Sequence, residues 1–252
     1  MAKKDDETRH YGGRGDPVRS MELLWGLGQA PRSRGPKQGL TVERIVRAGI
    51  ELADAEGLAA VSMRRVAGDL GSGTATLYRY ITNRDELVDL MVDAVQGEDP
   101  LPEPARDWRA GLAAIAHTLR ATLLRHPWLA GELAGRPSLG PNSLRRSESA
   151  LRAAVALTPD ITLASQALGA VRAYVLGSVA TQQAARRAEQ RTGLTEEQWQ
   201  RSVGPYITEV LAAGEHPMLA RRVLEAEEPD PDVEFAFGLD CVLDGLAARF
   251  DR

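Results

Sequence analysis

GTATLYRYITNRDEL, residues 73–87, places Thr74, Thr76, Tyr78, Arg79 and Tyr80 within barely two helical turns. A helix that serves only a core has no use for so many hydroxyls, rings and a cation side by side. Its apolar members, Leu77 and Ile81, are four residues apart and share one inward face. The remaining side chains are then left outward, toward some other surface.

The neighbouring sequence says how that stretch is held. Thr41 with Glu43 reads as a helix start. Val42, Ile45, Val46, Leu52 and Ala53 then keep helical spacing, predicting a helix over 41–56 ended by Gly57. Ser62 opens a short helix with Met63, Val66, Ala67 and Leu70 on one side. Gly71-Ser72-Gly73 is a three-residue turn. Thr74 is expected to cap a third helix reaching Tyr80. Asn83 is expected to cap a fourth, with Glu86 as its capping-box partner and an apolar stripe of Leu87, Leu90, Met91, Ala94 and Val95.

Short helix, glycine turn, short helix is the helix-turn-helix layout. There the second helix enters the major groove of DNA and its first residues meet base edges. Thr74, Thr76, Tyr78 and Tyr80 suit phosphate or base contacts, and threonine methyls suit thymine methyls. Arg64, Arg65 and Arg84 flank the reading stretch and are expected to clamp the phosphate backbone. The charge distribution agrees. The chain's net charge is −4, yet residues 32–84 carry Arg32, Arg34, Lys37, Arg44, Arg47, Arg64, Arg65, Arg79 and Arg84 against five acids, a local +4. Residues 1–31 are neutral, so the remainder is strongly acidic.

Residues 1–39 read as a flexible, basic-ended arm rich in glycine, proline and charge. One island, MELLWGL (21–27), is compatible with a docked helical turn. Arg32, Arg34 and Lys37 either reach an adjacent minor groove or form a solvated linker. Beyond GEDPLPEPA (97–105) every segment has helical periodicity and none alternates as a strand. Helices are expected near 107–125, 127–135, 142–158, 160–188, 195–213, 216–226 and 232–250. The fold expected is all-α, with a helix-turn-helix domain over 40–86 and a larger helical domain over 87–252.

The run LADAEGLAAVSMRRVAGDLGSGTATLYRYITNRDEL (52–87) resembles the DNA-binding domain of the TetR family of bacterial transcriptional regulators. The resemblance rests on EGL, SMRRVAGDLG, TATLYRYI and the Asn83-Arg84-Asp85-Glu86-Leu87 helix start. It implies a homodimeric repressor on a near-palindromic double-stranded DNA operator, released when a small-molecule effector enters the C-terminal domain. By position it marks Ser62, Arg64, Thr74, Ala75, Thr76, Leu77, Tyr78, Tyr80 and Arg84 as DNA contacts. Arg79, after Tyr78, offers an additional phosphate or guanine contact. The helices at 160–188 and 232–250 carry surplus apolar surface and are expected to pair two subunits. His117, Trp128, Arg172 and Tyr174 lie on or near apolar faces of the second domain and are the expected effector contacts.

Other function classes fit poorly. GSGTATL (71–77) lacks the final glycine, the Lys-Ser/Thr pair and the preceding strand of a phosphate loop. The four histidines are scattered, and Cys241 is the single cysteine, so no metal or other cofactor, and no catalytic residue, is expected. No run of eighteen apolar residues suggests a membrane span, and the expected location is the cytoplasm, on the nucleoid. The rival to a DNA-binding regulator is a helical small-molecule-binding or protein-interaction module that never meets DNA.

Overall fold

The structure is a computed structural model that describes residues 17–26, 40–103, 107–135 and 138–250. Arg32, Arg34 and Lys37 lie outside the described residues. Among those described there are twelve α-helices and no strand, so the fold is all-α. They fall into two compact units, one within Met1–Pro104 and Ala121–Arg152, the other within Ala105–Arg120 and Ala153–Arg252.

In the first unit, α1 (Pro17–Leu24) is the docked island, begun four residues before the expected start, with proline in its first turn. It packs on α5, and the Trp25 indole donates to the Leu139 carbonyl at 3.1 Å. α2 (Val42–Glu56) starts where Thr41 accepts from the Arg44 N–H, and it buries Ile45, Val46, Ile50, Leu52 and Ala53. A 3₁₀ turn, Leu58–Ala60, leads to α3 (Met63–Asp69), capped by Ser62. Leu70 ends α3, and Gly71 at φ +61° takes the left-handed conformation that glycine adopts without penalty. The Gly71 N–H then reaches the Gly68 carbonyl at 3.0 Å and the Ser72 N–H that of Ala67 at 2.8 Å, the Schellman pattern that closes a helix.

α4 (Thr74–Leu77) is shorter than the sequence suggested, and two details change. Its cap is Gly73, which bears no side-chain bond, so Thr74 is the first helical residue and not the cap. After Leu77 the chain tightens: Arg79 N–H bonds to Thr76 at 3.2 Å and Tyr80 N–H to Leu77 at 2.9 Å, both spanning three residues. α5 (Arg84–Gln96) follows the Asn83 cap. The Glu86 carboxylate does not close the expected capping box with Asn83; it accepts from the Thr82 N–H, one residue earlier.

α5 is buried on most sides, by Leu87, Val88, Leu90, Met91, Val92 and Val95, as suits a helix at the centre of its unit. α2 lies against it where Gly49 has no Cβ; one there would stand 2.8 Å from Met91 Sδ. The unit is completed by the end of α6 (Trp108–Arg125), α7 (Leu129–Ala134) and most of α8 (Pro141–Val155). α5 and α8 are fastened by charge. The buried Asp93 carboxylate accepts from the Ser143 N–H at 2.9 Å, and the Arg146 guanidinium donates to the Gln96 and Asp99 carbonyls at the end of α5. Each charge sits at the helix end whose dipole it complements. The Arg125 guanidinium beside Asp99 holds that carboxyl below the usual carboxylate range, against its partial burial. Its contribution to stability is therefore present at neutral pH and lost as pH falls through and below about 4.

In the second unit the long α9 (Ile161–Thr192) packs on α12 (Pro231–Phe250). Their shared core holds Ala167, Val171, Val175 and Val179 with Phe235, Leu239 and Leu243. Phe235 is ringed by His117 and Tyr174, and the Arg120 guanidinium lies 4.6 Å from its centroid. α10 (Glu196–Ala212) begins with the Thr195–Gln198 capping box and pairs with α11 (Pro217–Glu225).

The Asp93 fastening sets a close approach at Gly140, where a Cβ would lie 2.2 Å from Asp93 Oδ1. Gly140→Ala is expected to destabilise the protein by about 1–3 kcal/mol, as overpacking does. A lower urea midpoint with an unchanged helical spectrum checks it.

Candidate nucleic-acid interface

Leu77 and Ile81 are both 0% exposed. They seat the reading turn on the unit's core and leave its other side chains outward. Tyr78, at 49% exposure, is among the large hydrophobic residues that the surface displays. Ala75 and Arg79 are also exposed, while Thr74, Thr76 and Tyr80 are half-buried. Thus Thr74, Ala75, Thr76, Tyr78, Arg79 and Tyr80 come together on one short turn with surface available to a partner. Leu77 is corrected: a side chain with no exposure holds the turn and offers nothing to DNA.

The four arginines expected nearby divide in two. Arg64 and Arg79 are exposed and enter no ion pair among the described residues. Arg65 instead forks onto Glu56, at 2.6 and 3.2 Å, and reaches Asp69 at 3.4 Å. Those carboxylates raise its pKa further, the Glu56 hydrogen bond first. Arg84 donates through Nε to the Val61 carbonyl and through Nη2 to that of Leu58, both at 2.8 Å. Arg65 and Arg84, expected as phosphate clamps, thus also brace α2, α3 and the 3₁₀ turn from within. Ser62 is exposed, but its hydroxyl already accepts from the Arg65 N–H as a helix cap.

The Arg65–Asp69 pair was readable as a helical i,i+4 pair. The Glu56 and carbonyl partners were not, because they depend on how α2 and the 3₁₀ turn come to rest. His126 was also missed, having been read as one of four scattered histidines. It is buried between two carboxylates.

The expected effector contacts fall in both units. Trp128 is buried in the first unit, where its indole donates to Asp54 at 2.8 Å. His117, Arg172 and Tyr174 belong to the second unit. There His117 stands edge-on to Phe235 at 5.3 Å, and the Tyr174 hydroxyl donates to the Phe235 carbonyl at 2.8 Å. Burial pushes the Tyr174 hydroxyl's pKa up. Arg172 is exposed, two residues from Tyr174 and so on another side of α9. Among the described residues no group of histidine, cysteine, aspartate and glutamate is placed to hold a metal ion, and no helix is long and apolar enough to cross a membrane.

A buried pair seating a short, hydroxyl-rich turn after a glycine turn defines a helix-turn-helix DNA-binding protein. The family described as bacterial regulatory proteins, tetR family, matches residues 45–91, and the tetracyclin repressor-like C-terminal domain matches residues 101–250. The chain belongs to the TetR family of transcriptional regulators. It is 44% identical over 239 residues to the HTH-type transcriptional repressor DrrR1 of Streptomyces coeruleorubidus, covering 93% of this chain and 87% of that one. It is 27% identical over 209 residues to the class A tetracycline repressor protein from transposon 1721 of Escherichia coli, covering 81% and 89%. The structure of the Streptomyces coelicolor TetR family protein ActR in complex with actinorhodin superposes with a TM-score of 0.70 at 30% identity, over 85% of this chain and 100% of that one. The protein is a ligand-responsive DNA-binding repressor of this family; a helical module without DNA binding is not favoured.

Arg64→Ala and Arg79→Ala are each expected to make the dependence of log affinity on log salt shallower by about one while leaving the melting temperature unchanged. Arg84→Ala is expected to lower the melting temperature and leave the slope alone. Anisotropy titrations over a salt series, with thermal melts, check both.

Proposed function

We propose that this protein is a homodimer that holds a near-palindromic operator through two copies of the turn at 74–80 and releases it when a small molecule binds. The observation that carries the reading is the full burial of Leu77 and Ile81 beneath exposed Tyr78 and Arg79. Thr74, Ala75, Thr76, Tyr78, Arg79 and Tyr80 read the groove, and Arg64 contacts phosphate. Few of these side chains are long enough for bidentate base readout, so DNA shape carries part of the specificity. In this reading the head spans residues 40–86 and the effector-binding and dimerisation part 87–252. The arm with Arg32, Arg34 and Lys37 reaches an adjacent minor groove in this reading, the other being a solvated linker.

Two features support the dimer. α9 turns a strip of small residues outward: Gly169, Ala170, Ala173, Gly177 and Ala180. α12 exposes Val233 and Phe237, the latter at 71%. Small residues on one helix and a large ring on the other suit a self-complementary two-fold interface. α11 buries none of its residues and exposes Met218, Leu219, Val223 and Leu224, surface that a second copy would cover. The reading turns of such a dimer lie about 34 Å apart, or a multiple of it.

The effector site belongs to the helical region after α5, with His117 and Tyr174 as its candidate contacts. ActR with actinorhodin supports a ligand of that kind. The ligand acts by favouring a form of the dimer with mismatched reading turns, and it shifts the balance only by its preference for that form.

Enrichment of genomic fragments on the purified protein is expected to return one palindrome, lost with Tyr78→Ala. No enrichment contradicts the reading. Phe237→Glu is expected to sediment as a monomer and to weaken operator binding at least tenfold. Actinorhodin is the first probe for release of the bound fragment.

A further inference from the structure

Asp54 stands in the last turn of α2, where a negative charge opposes the helix dipole. It gains nothing locally from that position. Its carboxylate instead meets two donors more than seventy residues away. The His126 Nδ1 lies 2.8 and 3.0 Å from its two oxygens, and the Trp128 indole N–H donates to Oδ1 at 2.8 Å. The other ring nitrogen of His126 lies 2.9 Å from Glu98 Oε2, just beyond α5. Both ring nitrogens of His126 are thus engaged by carboxylates. The set is walled by the rings of His126 and Trp128, edge to face at 6.2 Å, and Arg125 lies 3.5 Å from the same Glu98 oxygen.

These bonds join three places: the end of α2, the segment after α5, and the turn between α6 and α7. The helices that carry the reading turn, α2 to α4, are also held to α5, where Gly49 meets Met91 and where Arg84 reaches the Leu58 and Val61 carbonyls. Those contacts all tie the head to α5. The bonds at Asp54 add a tie from the end of α2 to the turn between α6 and α7, and so restrict the tilt that packing on one helix still allows. Charge-assisted bonds in a partly dry site are short and strong enough for that task.

We propose that Asp54, His126, Trp128 and Glu98 form a clamp that fixes the orientation of α2–α4, making them positioning residues for operator binding that touch no DNA. It rests on the operator-binding reading above. A fixed head spends less of its interaction with DNA on ordering, so the clamp raises affinity. It leaves the count of phosphate contacts unchanged, which separates it from Arg64 and Arg79.

The test uses the full-length protein and the enriched fragment. Trp128→Phe keeps the buried ring and removes only the N–H; Asp54→Asn keeps the shape and removes the charge. Each is expected to weaken operator binding about tenfold, within the roughly 5–150-fold range of coupling between sites. The salt slope stays at the wild-type value, and the double variant is no weaker than the worse single one. Hydrogen exchange is expected to quicken across residues 42–82 in both variants while amides of α12 keep their protection. Affinities within twofold of wild type, tighter binding, a shallower salt slope or additive losses overturn the proposal. If the wild-type protein enriches no fragment, the operator reading fails by itself. The clamp then stands or falls on hydrogen exchange, and unchanged exchange at 42–82 sinks it.

Discussion

Two side chains with no exposure, Leu77 and Ile81, decide what the rest of this molecule can do. A four-residue helix has no stability of its own, since nucleating a helix costs more than its few hydrogen bonds return. α4 exists because its apolar side is sealed onto the core of its unit, and because Gly71 lets the chain reverse directly before it. Sealing that side fixes the azimuth of every other residue in the turn. Thr76, Tyr78 and Arg79 then face outward because Leu77 and Ile81 face inward.

The surroundings serve the same constraint. α3 is kept in register by the forked Arg65–Glu56 pair, and the 3₁₀ turn is kept in place by Arg84 reaching back to two carbonyls. Exposed ion pairs usually contribute under about 1 kcal/mol each. Their value here lies in geometry, because they fix where the reading turn stands and leave Arg64 and Arg79 among the cations available to a polyanion. Division of labour among adjacent arginines thus follows from which of them finds an internal acceptor.

Much of this was legible from local rules. Helix periods, the Ser62 and Asn83 caps, the Gly71 turn and the four-residue spacing of Leu77 and Ile81 are short-range features, and the structure keeps them. Departures are local too. Thr74 yields the cap position to Gly73, and the Glu86 carboxylate accepts from the Thr82 N–H in place of the Asn83 N–H. What could not be read depends on distant neighbours. The Arg84 acceptors lie 23 and 26 residues away, and the partners of Asp54 lie 72 and 74 away. Trp128 looked like a residue for a ligand; its indole is committed to Asp54, and only the folded chain reveals that.

The turn at 74–80 enters the major groove if the burial of Leu77 and Ile81 serves DNA reading. Ala75, exposed at the start of that turn, is the place to test it. With Cys241→Ser to remove the native thiol, an iron chelate attached at Ala75→Cys would cut DNA wherever that residue lies. Two clusters of cuts are expected on the enriched fragment, symmetric about its centre and about one helical turn, or a multiple, apart. Scattered cutting, or none while the protein remains bound, would contradict it.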